Sequence, residues 1–285
     1  MVRARWTNVM LLAAAAILAA ACAVSRLAYL NAPPLALWYV GGYFDLTDEQ
    51  KRFFKERLAR AMAWHRSHEL PEYRQAIESL IVKSEGKLPV EDVRATYLKA
   101  REFYHRALEH LLPDLADFIL QLDGEQLAQV EKKFAEDNNK LVKESVKGGA
   151  EERRERLTKK YIGQFEDYTG RLNPEQREIV ANAVAGFTDI TSERLGDRRY
   201  RQLETLGLVR SKAPREKVIA ELKRLLIDTE TWRRPEYVRK IRQRDERMFV
   251  AVSELTATLT PEQRASLQRK LRSYVKDISE IVVAR

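Results

Sequence analysis

From residue 45 onward the chain repeats one pattern, apolar residues three and four positions apart among charged helix formers. Leu267, Leu271, Tyr274, Ile278 and Ile281 step by four, three, four and three. That spacing lays all five on one stripe of a helix. Ile241, Met248, Val252, Leu255 and Leu259 form a second stripe, and Phe54, Leu58 and Ala61 with Trp64 or His65 a third. No stretch alternates polar and apolar residues for long enough to demand a sheet. The expected fold class is therefore all-α, a multi-helix array of antiparallel amphipathic helices.

Helix starts are announced by a recurrent phrase. It reads Leu46-Thr47-Asp48-Glu49-Gln50, Leu122-Asp123-Gly124-Glu125-Gln126, Leu172-Asn173-Pro174-Glu175-Gln176 and Leu259-Thr260-Pro261-Glu262-Gln263. In a capping box the Thr, Asp or Asn oxygen accepts from the amide three residues on, and the Gln side chain reaches back to the cap residue's own amide. Pro174 and Pro261 fit the first helical position, where a missing donor costs nothing. The phrases lie 76, 50 and 87 residues apart, too irregular for a solenoid. Gly86, Gly148-Gly149 and Gly170 are expected to end helices. Pro71, Pro113, Pro214 and Pro235 are expected to break them.

The first 21 residues have a different character. Arg3 and Arg5 precede an apolar run and three alanines, followed by Cys22, the single cysteine. This is the order of a secretory signal, and the run is too short to span a bilayer of ~30 Å. Leu18-Ala19-Ala20-Ala21-Cys22 resembles a bacterial lipobox, with its leucine one place early. The resemblance implies an acylated Cys22 carrying chains such as palmitate. Ala23, where aspartate would signal inner-membrane retention, favours the outer membrane. Residues 1–21 thus read as a signal peptide, 22–45 as a lipid-anchored aromatic segment and 46–285 as an all-helical periplasmic domain, with a subdivision placed near 148–172. Leu27 to Phe44 holds Tyr29, Trp38, Tyr39 and Tyr43 between Pro33-Pro34 and Gly41-Gly42. It is read as a strap packed on the body, the alternative being a segment lying in the membrane interface.

Without the leader's two arginines, 51 Lys+Arg fall to 49 against 42 Asp+Glu, a surplus of seven. An export signal turns that basic balance away from nucleic acid and toward anionic envelope polymer or headgroups. Arg153, Arg154, Arg233, Arg234, Arg239 and Lys240 are the candidates for such contact. Interleaved Glu151, Glu152, Glu155 and Glu236 favour ordinary pairing along the same helices instead.

Several short motifs together resemble a family of uncharacterised all-helical proteobacterial lipoproteins. They are Arg26, Tyr29, Asn31, Trp38-Tyr39, Tyr43-Phe44-Asp45-Leu46-Thr47 with Gln50, Trp64-His65-Arg66 with Glu69-Leu70-Pro71 and Tyr73, and Leu112-Pro113-Asp114-Leu115. The resemblance implies fold and location but no activity. The Leu-Thr-x-x-Gln phrase at Leu46 and Leu259 is also similar to the paired motif of the small helical periplasmic chaperone family exemplified by Spy, although this chain is far longer.

Catalytic constellations are absent: there is no Gly-x-Ser-x-Gly elbow, His-Glu-x-x-His helix or phosphate-binding glycine loop. All four histidines, His65, His68, His105 and His110, fall in one 46-residue window beside Glu69 and Glu109. On two packed helices they would offer a metal site, against the plainer reading of histidines clustered by chance. Trp64, Arg66, Glu69 and Asp114 read as a structural polar joint. The expectation is a membrane-anchored envelope lipoprotein without enzymatic activity or cofactor, which binds or scaffolds an envelope protein or anionic polymer. The alternatives are an ATP-independent periplasmic chaperone or envelope-stress protein, and a histidine-based metal binder.

Overall fold

The computed structural model describes residues 26–283, so residues 1–21, read above as a signal peptide, and Cys22 lie outside the described residues. Within that span there are helices and connections but no strand. Two short helices come first, α1 (Arg26–Leu30) and α2 (Ala32–Gly41). The segment read as a strap is thus helical: Pro33 and Pro34 fall in its first turn, where proline is tolerated, and the Gly42 amide closes its end on the carbonyls of Trp38 and Tyr39. Helix α3 (Asp48–Trp64) passes through a π-helical turn (His65–Glu69) into α4 (Leu70–Lys83). Then follow α5 (Val90–Ile119), α6 (Gly124–Val146), α7 (Ala150–Thr169), α8 (Pro174–Ala185), α9 (Thr191–Arg210), α10 (Arg215–Leu226), α11 (Pro235–Thr258) and α12 (Pro261–Val283).

The punctuation holds at most of the expected places. Pro214 caps α10, Pro235 opens α11, and Gly170, at φ 79°, ends α7 in a conformation that favours glycine. Two prolines depart from expectation. Pro113 sits inside α5, and Pro71 is the second residue of α4, directly after the π turn. An interior proline costs ~3 kcal/mol in an isolated helix. Around Pro113 the burial of Leu108, Leu111, Leu112 and Ala116 outweighs that cost.

The chain forms two compact units, each discontinuous in sequence. One takes the described residues up to Glu69, with Phe103–Val142 and Ser192–Arg233; the other takes Leu70–Glu102, Lys143–Thr191 and the chain from Arg234. The division therefore does not fall at a single linker near 148–172, because the long-range contacts are made by interleaved segments. In the first unit Phe118 meets Phe44 and Phe54 edge-on, at 5.6 and 5.7 Å between centroids. Buried Leu58, Leu108, Leu112, Leu222 and Leu225 complete its core. In the second unit Leu172, Val180, Val184 and Leu255 form a buried cluster flanked by Leu157, Ile162 and Phe165. There α12 also packs along α4, with Ile278 and Ile281 fully buried.

All four phrases are capping boxes, and they pair two by two. Thr47, Asp123, Asn173 and Thr260 each accept from the backbone amide of their Gln, at 2.8 to 3.2 Å, and each glutamine Oε1 accepts from the cap residue's amide. In the first unit Gln50 and Gln126 then exchange amide hydrogen bonds, at 3.0 and 2.7 Å. In the second, Gln176 and Gln263 do the same at 2.7 and 2.8 Å. Each glutamine also donates to the carbonyl of the residue just ahead of its partner's leucine: Gln121, Asp45, Thr258 and Arg171. The four leucines, Leu46, Leu122, Leu172 and Leu259, are all buried beside these joints. The same device, atom for atom, thus holds together two helix starts in each unit.

Candidate functional site

The histidine window lies in the first unit, where the π turn sets its geometry. His65 and Glu69 are both about 1% exposed. The His65 ring stacks on Tyr29, with Nδ1 3.3 Å from the phenol oxygen, and the Tyr29 hydroxyl also donates to the Met62 carbonyl. Burial pushes His65 down to about 4, against an opposing pull from Glu69. Glu69 in turn accepts both arms of the Arg106 guanidinium, at 2.6 and 3.0 Å. His110 stacks on Trp64 at 3.8 Å with 8° between planes, and burial lowers its pKa as well. His68 stacks on the same indole at 5.9 Å while its Nδ1 meets Ser67 Oγ at 2.7 Å, and His105 lies against Tyr104.

Among the described residues no three His, Cys, Asp or Glu side chains converge to hold a metal ion. His65 turns toward Tyr29, whereas His68 and His110 turn toward Trp64, so the metal reading is left without a ligand set. The polar joint read from Trp64, Arg66, Glu69 and Asp114 is also divided. Glu69 is held by Arg106, while Asp114 takes Arg60 at 2.9 Å and Arg57 at 3.4 Å. Arg106, 37 residues from its partner, carries no local sequence signal that would have singled it out.

The second unit contains the larger feature, an apolar cavity of about 470 Å³. It is lined by Tyr97 and Ala100 of α5, Tyr161, Phe165 and Tyr168 of α7, Met248, Phe249, Val252 and Leu255 of α11, and Leu267 and Leu271 of α12. The amphipathic stripes legible in α11 and α12 supply much of this wall. The lining Ser and Thr hydroxyls are turned back onto the backbone, while Gln164 and the tyrosine phenols add polar atoms to the wall. Ser84 donates to the Ile81 carbonyl, Thr96 to Asp92, Thr169 to Phe165 and Thr256 to Ser253, at 2.7 to 3.0 Å. The Tyr97 phenol donates to Asp245 Oδ2 at 3.0 Å and is pushed up to about 12, first by burial and then by that carboxylate. Burial raises Asp245 itself. The Tyr168 ring meets Tyr274 edge-on, and the Lys270 ammonium lies 5.5 Å from the Tyr274 centroid, within cation–π range. The wall therefore offers mainly carbon surface, of a size that suits a small ligand.

The basic candidates are mostly engaged at home. Arg153 faces Asp189 at 3.6 Å, Arg154 faces Glu151 at 3.1 Å and Lys240 faces Glu236 at 3.4 Å. Arg233 is held by Asp197 at 2.6 Å. Arg234 and Arg239 are exposed.

Residues 42–239 match a family of unknown function (DUF6279). The chain belongs to that family. The matched span takes in three of the four capping phrases, the π turn and Arg106, but ends ahead of the Leu259 phrase and α12. No curated protein and no solved structure matches the chain.

Proposed function

We propose that this protein is an envelope lipoprotein, tethered through Cys22 and facing the periplasm, that binds an apolar ligand without chemical turnover. The observation that carries the binding part is the second unit's largely apolar cavity, whose lining Ser and Thr hydroxyls donate to backbone carbonyls. A polar substrate entering it would lose its water and find few partners besides Gln164 and the tyrosine phenols, at a cost of ~1–3 kcal/mol for each unpaired group. A hydrocarbon chain loses nothing of the kind and gains ~0.8 kcal/mol per buried methylene. The tether rests on the leader and the lipobox-like sequence, with the outer membrane favoured by Ala23.

A fluorescent fatty acid titrated onto the purified protein should bind saturably at one site. Val252→Trp and Leu267→Trp, which fill the cavity, should each weaken it at least tenfold, and the ligand should be recovered chemically unchanged. Absence of saturable binding would remove this reading. The same cavity favours the chaperone as second reading, and suppression of client aggregation at equimolar protein without nucleotide would select it.

A further inference from the structure

Helix α2 is apolar on every face, with no charged residue anywhere from Leu27 to Phe44. A helix of that kind belongs in a protein core or in lipid. Only one side of it is in a core: Ala32, Ala36 and Val40 are buried in the first unit. Leu35 and Trp38 point to solvent, 54% and 77% exposed, and Leu30, one turn ahead, is 46% exposed. Pro34, also exposed, and the Gly41-Gly42 end continue the same stripe. From Leu30 to Gly42 the stripe carries no charged residue, and Asn31 is its exposed polar side chain. Indole at the edge of an apolar stripe suits the boundary between hydrocarbon and water.

We propose that this stripe is a membrane-contact surface, with Leu35 and Trp38 set into the lipid interface next to the acylated Cys22. The proposal rests on the tether reading. Leu30 follows Cys22 by eight residues, which even fully extended reach at most ~29 Å, so an anchor at Cys22 holds the stripe against the bilayer surface at high effective concentration. Helix α2 has ten residues, or ~15 Å of helix against ~30 Å of hydrocarbon. It therefore lies in the interface and does not cross. The anchor and the stripe together make two signals, which fix how the first unit meets the membrane as well as keeping it there.

The test uses the full chain reconstituted into vesicles of phosphatidylethanolamine and phosphatidylglycerol whose acyl chains are brominated near the headgroup. Tryptophan fluorescence should be quenched at least twofold more in the wild type than in Trp38→Phe, since Trp64 and Trp232 are half-buried in the protein. A nitroxide attached at Leu35→Cys should be more accessible to oxygen than to a water-soluble nickel chelate. Equal quenching in wild type and Trp38→Phe would overturn the proposal, as would a dimer in detergent that Trp38→Glu dissolves. The mass spectrum of the same sample separates the two readings. An unmodified Cys22 with Trp38 still quenched would remove the tether and leave the contact surface standing. An acylated Cys22 with Trp38 unquenched would do the reverse.

Discussion

Gln176 is fully buried, yet each polar atom of its amide has a partner: the oxygen accepts from Asn173 and Gln263, and the nitrogen donates to Thr258 and Gln263. Gln176→Glu removes both donors and buries a carboxylate between two carbonyl-type oxygens. A buried group left unpaired costs ~1–3 kcal/mol, more when charged, whereas losing a cap oxygen costs ~1 kcal/mol. Urea melts should therefore rank Gln176→Glu well above Thr260→Ala, and equal effects would mean that the paired amides contribute only as caps. His65 gives a second test at this scale. Burial holds its folded pKa at about 4, below the ordinary imidazole value of 6.5, so the unfolded chain binds the proton more readily. That contribution is fully present above pH 6.5 and is lost as pH falls toward 4, amounting to ~3 kcal/mol at most. In His65→Gln the fall in stability between those pH values should be shallower, and an unchanged slope would count against the buried neutral imidazole.

The elements themselves were largely legible, because caps and periodicity are local. Thr47, Asp123, Asn173 and Thr260 stand where the phrases place them, and the α11 and α12 stripes face inward as read. The partnering of the phrases was not legible, since Gln50 meets Gln126 across 76 residues and Gln176 meets Gln263 across 87, and nothing local says which phrase answers which. The same holds for the cavity wall, drawn from four chain segments, and for the π turn, whose five residues look like ordinary helix. That turn gives an element-scale prediction. Deleting exposed Ser67 would close the π turn to α-helix and leave Glu69 facing Arg106, because four α-helical residues turn about as far as five π-helical ones, whereas one alanine inserted after Ser67 would carry Glu69 about 100° further round. Leaving a buried member of an ion pair without its partner costs ~3–5 kcal/mol, so the insertion should destabilise far more than the deletion. If the two melted alike, the π turn would have no part in placing Glu69.

At the scale of the whole molecule, two units share one joint design but differ in what they enclose. The cavity of about 470 Å³ belongs to the second unit alone. Apolar walls facing a space of that size forgo dispersion contacts that a close-packed core would make, so an occupant should stabilise the protein as well as bind it. Linkage sets the size of the effect: a ligand at 100 times its Kd adds ~2.7 kcal/mol when it binds only the folded state. In a chain of this length that corresponds to a rise in Tm of roughly 5–10 °C. Scanning calorimetry with saturating fatty acid should show such a rise in the transition of the unit that holds the cavity. Val252→Trp, with indole in place of ligand, should gain little or nothing from the fatty acid, and its ligand-free Tm should match or exceed that of the wild type. An equal rise in wild type and Val252→Trp would place the ligand elsewhere, and no rise in either would leave the cavity without a role in binding.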